Sequence, residues 1–192
     1  LITSGQETFL GQVAVNEDKN EYCVNMFSSN STGTRIQMLR SVNAGTKALG
    51  TLSQATRGDG GWIIYNTVSK EYFTLYNENG NAKGQALGNT CSFSNAKTPF
   101  NLQAYARTIS FNPRSNSYAV IGEGNSASDN PVTIFTHTGT ILKKMSPFLS
   151  LTFNLGAFNP MIEANTTDGT FAAITNRDYA DVVFASNLSV SQ

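Results

Sequence analysis

Few residues of this sequence have the types and spacing that catalysis or metal binding requires. His137 is the only histidine; a Ser-His-Asp triad would have to use it, yet no G-x-S-x-G elbow is present. We expect it to be a solvated turn residue. One histidine and two distant cysteines, Cys23 and Cys91, make no zinc site. No D-x-D-x-D-G loop occurs, although calcium is conceivable at Asp129 and in 178–181. We therefore predict no enzyme, no metal site and no cofactor.

One tripeptide has the composition of an adhesive motif. Arg57, Gly58 and Asp59 lie in ATRGDGGW, where the flanking glycines predict an exposed, flexible loop. The tripeptide resembles the integrin-binding motif, in which the aspartate completes a receptor-bound metal site and the arginine meets an acidic pocket. The resemblance implies cell adhesion. The alternative is a connecting turn with two solvated charges.

The sequons and cysteines bear on the compartment of the protein. Sequons begin at Asn30, Asn187 and Asn165, which indicates a secreted glycoprotein. We expect Asn30 and Asn187 on loops and rank them ahead of Asn165. Cys23 and Cys91 form either a disulfide in an oxidising compartment or two buried thiols. The sequence leaves both open, because the bond needs Cα atoms within about 7 Å.

Composition excludes several classes of partner. The chain has 192 residues, 13 of them Lys or Arg and 13 Asp or Glu. A neutral chain lacks the charge that holds nucleic acid or an anionic membrane. No stretch approaches the roughly 20 apolar residues of a membrane span. The chain begins LITSGQ, without an initiator Met or a signal peptide. We expect an extracellular, secreted protein, either processed or cut from a longer chain.

The elements that would position any site come from an internal repeat. A hydrophobic run that ends in Asn is followed six residues later by an aromatic residue, and the Asn recurs after 50, 46 and 53 positions. An Asn can cap the backbone two residues on, as an Asx turn, and the aromatic would pack between neighbouring units. Both are expected to be scaffold positions. The four pairs are Asn16 and Tyr22, Asn66 and Tyr72, Asn112 and Tyr118, and Asn165 and Phe171.

Each unit reads as four short strands, which predicts an all-β fold. A period of about 50 residues with four strands is typical of a propeller blade, so we predict one domain, a small β-propeller of four blades. The outer strand of the first unit is expected at Ala48 and Leu49, and the third strand of the last unit at 181–184. Residues 1–9 would complete the last blade; the alternative is a piece of a longer array. The units are approximately 10–55, 56–104, 105–157, and 158–192 with 1–9.

The pattern resembles tandem propeller repeats of extracellular proteins. The matching pieces are Phe111-Asn112 with Tyr118-Ala119-Val120-Ile121, and Thr136-His137-Thr138-Gly139. The resemblance covers all four units, although 83–88 is a poor third strand for the second unit. It implies a scaffold for binding or adhesion and carries no catalytic residue across.

The functional hypothesis is a non-enzymatic extracellular glycoprotein module for cell adhesion or for assembly into a larger structure. Its partner would be an extracellular protein or a glycan, and self-assembly is included. The alternative is a lectin that holds sugar between blades with aromatic and Asn side chains, and a glycan-active enzyme is third. Function is expected where the units differ, at the segments 57–61, 88–99, 28–34 and 124–131.

Overall fold

The computed structural model describes residues 7–29, 33–102, 105–123, 132–145, 161–175 and 184–188. These residues form strands and two short 3-10 turns, at Glu17–Lys19 and Phe93–Asn95. The strands are β1 Glu7–Asn16, β2 Glu21–Ser29, β3 Arg35–Asn43, β4 Ser53–Thr56, β5 Asp59–Asn66, β6 Glu71–Glu78, β7 Asn81–Gly88, β8 Phe100–Asn101, β9 Tyr105–Asn112, β10 Ser117–Glu123, β11 Val132–Thr136, β12 Ile141–Met145, β13 Met161–Asn165, β14 Thr170–Thr175 and β15 Phe184–Leu188.

Four separate sheets follow one another along the chain, as the repeat predicts. The sheets are β1-β2-β3-β4, β5-β6-β7-β8, β9-β10-β11-β12 and β13-β14-β15, with each strand hydrogen-bonded to the next in sequence. The paired strands run antiparallel, for example Val15 opposite Tyr22 in the first sheet and Tyr65 opposite Tyr72 in the second. Short connections permit this order, because antiparallel neighbours need only a tight turn between them.

The turn between the first two strands has the same backbone form in every sheet. The fourth residue after the repeat Asn has a positive φ in each case. Asn and Gly tolerate this left-handed region well, whereas a Lys is less usual there. The four residues are Asn20 with φ 49°, Lys70 with φ 59°, Asn116 with φ 45° and Gly169 with φ 80°.

Several strand predictions were wrong in detail. The outer strand of the first sheet is β4, and Leu49 forms only an isolated bridge with Val42. We expected the segment 83–88 to be a poor third strand for the second unit. It lies in β7, a regular strand in which Ala82 and Leu87 are fully buried. The third strand of the last sheet is β15, which extends to Leu188, beyond the predicted end at 184; residues 181–183 lie outside the described residues.

The predicted closure by residues 1–9 is corrected in part. Glu7 and Phe9 belong to β1 and pair with Ser29 and Phe27 of the first sheet, because β1 continues as a long strand beside β2. Residues 1–6 lie outside the described part of the chain.

The chain divides into two compact units, each built around its own core. The first contains the described residues up to 79 together with 83–100, and the second contains 80–82 and the described residues from 101 onward. In the first unit, Ala14, Cys23 and Leu39 of the first sheet pack against Ile63 and Leu87 of the second. In the second unit an apolar core joins the third and fourth sheets; its members are Ala119, Ile121, Val132, Ile134, Ile162 and Phe171.

Candidate functional site

The repeat asparagines are scaffold residues, as predicted. In each of the four turns the side-chain Oδ1 accepts a hydrogen bond from a backbone N–H two or three residues on. The bonds are Asn16 from Lys19 at 3.2 Å, Asn66 from Val68 at 2.9 Å, Asn112 from Arg114 at 3.0 Å and Asn165 from Thr167 at 3.0 Å. These side chains hold the turns, so a ligand site has to be sought elsewhere.

The two cysteines form a disulfide between the first two sheets. Cys23 lies in β2 and Cys91 lies in the segment after β7, with their Cα atoms 5.5 Å apart. Both residues belong to the buried cluster that joins these sheets. The bond decides between the two states that the sequence left open, and it fixes the segment 88–99 against the first sheet.

Two phenol–carboxylate hydrogen bonds also join these sheets. The Tyr65 hydroxyl donates to Asp18 Oδ2 at 2.8 Å, and Tyr72 donates to Glu21 Oε1 at 2.7 Å. Burial, together with the bond to Asp18, raises the pKa of Tyr65 to about 12, and burial also raises the pKa of Tyr72. Lys70 is hydrogen-bonded to Asp18 at 2.8 Å and lowers the pKa of this carboxyl. Both phenols are therefore neutral at physiological pH, and Asp18 is ionised.

A groove of about 300 Å³ lies beside the disulfide, within the first unit. We call it the polar groove. Its walls come from four segments: the turn between β1 and β2 with the start of β2, the strand β3, the approach to β4, and the disulfide-bonded segment after β7. Charged and hydroxyl side chains predominate among its lining residues, which include Lys19, Glu21, Ser41, Ser53, Thr90 and Ser92.

Hydrogen bonds fix several of the groove's polar groups in place. Ser53 Oγ accepts from the backbone N–H of Phe93 at 2.9 Å and from the Ser92 hydroxyl at 3.2 Å. Lys19 Nζ donates to the carbonyl of Asn89. Glu21 is held through Tyr72, and the Thr90 Oγ1 is buried without a partner among the described residues. The arrangement is a set of positioned donors and acceptors suited to a polar ligand.

The Arg-Gly-Asp tripeptide does not form the flexible, exposed loop that we expected. The Arg57 guanidinium lies 4.4 Å from the ring centre of Tyr76 and 4.6 Å from that of Phe93, and burial lowers its pKa. Gly58 packs so closely that an added Cβ would stand 1.7 Å from the carbonyl oxygen of Asn77. Asp59 begins β5 and pairs with Asn77. Cation–π stacking and strand pairing thus hold this segment, and the arginine is unavailable to an acidic receptor pocket.

Of the three predicted glycosylation sites, one lies in a strand, one lies in a turn and one lies outside the described residues. Asn187 lies in β15, where it pairs with Ala172, and not in the final loop that we expected. Asn165 has an exposed side chain in the first turn of the last sheet. Asn30 lies outside the described residues, as do Asp129 and the segment 178–181.

Other candidate chemistry is sparse in the described part of the chain. His137 lies in the turn between β11 and β12, as expected, and is half-buried. Within the described ranges, His, Cys, Asp and Glu side chains form no group of three that could hold a metal ion. In the same ranges, no helix has the length and apolar character of a membrane span.

Sequence reasoning pointed to the segment 88–99 as a place where the units differ, but it did not identify the groove. The groove combines residues from four parts of the chain. The disulfide between Cys23 and Cys91, with hydrogen bonds from Phe93 and Ser92 to Ser53, holds the last of these parts against the first sheet. The pair of cysteines was the one signal for that contact.

No protein-family model matches the chain, and no curated protein matches it. Solved structures similar to it include the following two. The Dos1 propeller matches over 95% of this chain and 60% of that chain, at 8% identity with a TM-score of 0.54. The fold is a β-propeller. The four sheets are its blades, first to fourth. Kuenenia stuttgartiensis hydrazine synthase matches over 91% of this chain and 44% of that chain, at 11% identity with a TM-score of 0.58.

The chain spans less than two thirds of the length of either structure. At these identities the likeness shows the propeller fold alone. A propeller scaffold carries many unrelated functions, so the function has to be argued from the site.

Proposed function

We propose that this chain is a non-enzymatic extracellular glycoprotein module that acts by binding, in cell adhesion or in assembly of a larger structure. We further propose that the polar groove takes the carbohydrate of an extracellular glycan. The observation that carries the proposal is the groove itself, where the Cys23–Cys91 disulfide holds hydroxyl, ammonium and carboxylate groups around one space.

The chemistry of the groove supports a polyhydroxylated ligand. A sugar hydroxyl can donate to the Glu21 carboxylate and accept from Ser53, Ser92 or Lys19. Tyr72 bonds to one oxygen of Glu21, and a carboxylate has about four lone-pair sites, so Glu21 keeps acceptor capacity for a ligand. The volume of about 300 Å³ is at the lower end of small-molecule sites, which span about 300–1,000 Å³. This suits the terminal residue of a glycan better than a long chain.

The groove favours binding over cleavage. Glycoside hydrolysis usually needs two carboxyl groups on either side of the bond. Glu21 is the one carboxylate among the groove's described lining residues. The disulfide supports an oxidising compartment, since disulfides persist in secreted proteins and are rare in the cytosol.

A glycan array probed with three forms of the full chain tests this proposal. The wild type should bind a restricted set of glycans. Glu21→Gln keeps an acceptor for Tyr72 but removes the charge, and it should lose at least about tenfold in affinity, because charge-assisted hydrogen bonds are the strong ones. The matched control is Glu163→Gln, which changes an exposed carboxylate of β13 and should bind like the wild type.

Thermal melting of the three forms separates lost binding from lost folding. Glu21→Gln is expected to unfold within a few degrees of the control. The proposal fails if the wild type binds no glycan, or if a folded Glu21→Gln variant binds as tightly as the wild type.

A further inference from the structure

The polar groove has an apolar patch among its hydroxyl and charged groups. Leu52, which precedes β4, lines the groove and is 38% exposed. Among the described residues, it is not a member of the buried cluster that joins the first two blades. Its side chain is therefore available to a ligand, and covering it with an apolar group of that ligand is favourable.

The charges of the groove balance each other. Lys19 and Glu21 are the two charged residues among the groove's described lining, and their charges are opposite. An anionic ligand would be attracted by Lys19 but repelled by Glu21, and a cationic ligand would meet the reverse. The groove therefore favours a neutral ligand over a uronic acid or an amine.

The same two side chains have complementary hydrogen-bonding capacity. Lys19 Nζ carries three donors and uses one of them on the carbonyl of Asn89, so donors remain for a ligand. Glu21 accepts from Tyr72 with one oxygen and keeps further acceptor sites. A secondary amide is neutral and has one N–H donor and one carbonyl acceptor, so it can bond to both residues.

We propose that the polar groove selects the acetamido group of an N-acetylated amino sugar. The acetamido N–H donates to Glu21, its carbonyl accepts from Lys19, and its methyl group packs on Leu52. The ring hydroxyls of the sugar bond to Ser53 and Ser92. The inference rests on the proposed function, because it names the class of sugar that the same groove binds: glycans that end in an N-acetylhexosamine.

Both parts of the acetamido group contribute to the expected preference. Burial of one methyl group is worth about fourfold in affinity, and a hydrogen bond to a charged group is worth about tenfold or more. The hydroxyl that glucose has in this position lacks the methyl group and the carbonyl. The free amine of glucosamine is positively charged and would meet the ammonium group of Lys19.

An NMR titration of the isotopically labelled full chain with matched sugars tests the inference. Two pairs differ only in the acetamido group: N-acetylglucosamine with glucose, and N-acetylgalactosamine with galactose. In at least one pair, the wild type should bind the acetamido sugar at least about tenfold more tightly, as read from the amides of Ser53 and Ser92. Glucosamine should bind no more tightly than glucose.

Three variants at exposed leucines test the apolar contact. Leu52→Ser removes the contact for the methyl group and should reduce the preference at least about threefold, with the affinity for glucose unchanged. Leu52→Met keeps an apolar side chain and should retain the preference. The matched control is Leu49→Ser, because Leu49 is 60% exposed but is not among the groove's described lining residues; it should also retain the preference.

The outcomes separate this inference from the proposed function. If the wild type binds both members of each pair equally through the groove, the inference is overturned and the proposed function stands. The same holds if a Leu52→Ser variant, shown to be folded by circular dichroism, keeps the full preference. If the wild type binds none of the sugars, both are overturned. The comparison of sugars on the wild type needs no variant, so it is decisive even where a substituted chain does not fold.

Discussion

The junction between the first and second blades differs in chemistry from the junction between the third and fourth. The first is cross-linked by the Cys23–Cys91 disulfide, and a buried Gln37 amide donates across it to Thr74 at 2.9 Å. Tyrosine hydroxyls bond to carboxylates at its margin. In the described residues, the last junction is filled by aliphatic side chains around Phe171, and its polar contacts include those of Asn112 and Ser110 with the fourth sheet.

The difference between the two junctions distinguishes the residues that maintain the fold from those that we propose bind a ligand. Both junctions keep the same Asn turn and the same buried aromatic six residues after the Asn, so these positions maintain the fold. The first junction has more polar groups than packing of two blades requires, because apolar side chains are sufficient to pack the last junction. Four experiments test this difference between the junctions, beginning with the largest expected effect.

Phe171→Ala should have the largest effect on stability, because the last junction depends on apolar packing. Phe171 is fully buried, and removing such a ring costs about 4 kcal/mol of unfolding free energy. Urea unfolding followed by circular dichroism measures the change. Val68→Ala, at an exposed site, should change the free energy by less than about 0.5 kcal/mol. Equal effects for the two would contradict the packing account.

Removal of the disulfide should weaken the first junction specifically. The bond closes a loop with a sequence separation of 68, and its loss from the Cys23→Ala, Cys91→Ala double variant should cost about 3 kcal/mol. Trp62, the only tryptophan, lies in β5 of the same unit, so its fluorescence reports this unfolding. The double variant should also lose glycan binding, because Cys91 lines the groove. Unchanged binding would show that the disulfide does not organise the groove.

The repeat asparagines should differ in their contribution to stability, because only some of them bond to a neighbouring blade. Asn112→Ala removes bonds to two carbonyls of the next blade as well as the turn bond, and should cost about 2 kcal/mol. Asn165→Ala removes the turn bond of an exposed residue and should cost about 0.5 kcal/mol. Urea unfolding of the two variants gives the comparison. A larger loss of unfolding free energy for Asn165→Ala than for Asn112→Ala would contradict this prediction.

Tyr65→Phe should have the smallest effect at neutral pH and a clear one in alkali. Because the folded-state pKa is raised from 10 to about 12, the stability that the neutral phenol contributes is fully present below pH 10. It is lost as the pH rises through 12. The variant should therefore lose less stability than the wild type between pH 10 and 12. Thermal melting across this range gives the result, and parallel curves for both proteins would exclude the raised pKa.

The sequence was sufficient for the fold because the repeat positions serve one local purpose. An Asn side chain makes its turn bond within three residues, so the unit is visible as a spacing. Tyr72 and Phe171 are buried between neighbouring blades, so their shared spacing from the repeat Asn was visible in the sequence. Tyr22 has the same spacing but is 37% exposed, against our expectation. The outer strands were harder to predict. β4 and β7 contain few β-branched residues, and pairing with neighbouring strands determines their positions.

The candidate site could not be predicted from the sequence to the same degree. Arg57 looked exposed because it stands beside glycines, but the rings that cover it come from Tyr76 and Phe93, 19 and 36 residues further on. The groove has the same long-range origin, since Glu21 and Thr90 meet only through the disulfide-bonded segment. Contacts of this kind have no local signature in the sequence.

The central claim is that the polar groove of the first junction binds carbohydrate while the last junction does not. An NMR titration of the isotopically labelled full chain with mannose, galactose, N-acetylglucosamine and fucose tests it most directly. We predict that at least one sugar causes saturable shifts in the amides of Lys19, Glu21, Ser53 and Ser92, and none in those of Ile121 and Phe171. Shifts confined to the last junction, or no saturable shift with any of the four sugars, would contradict the account.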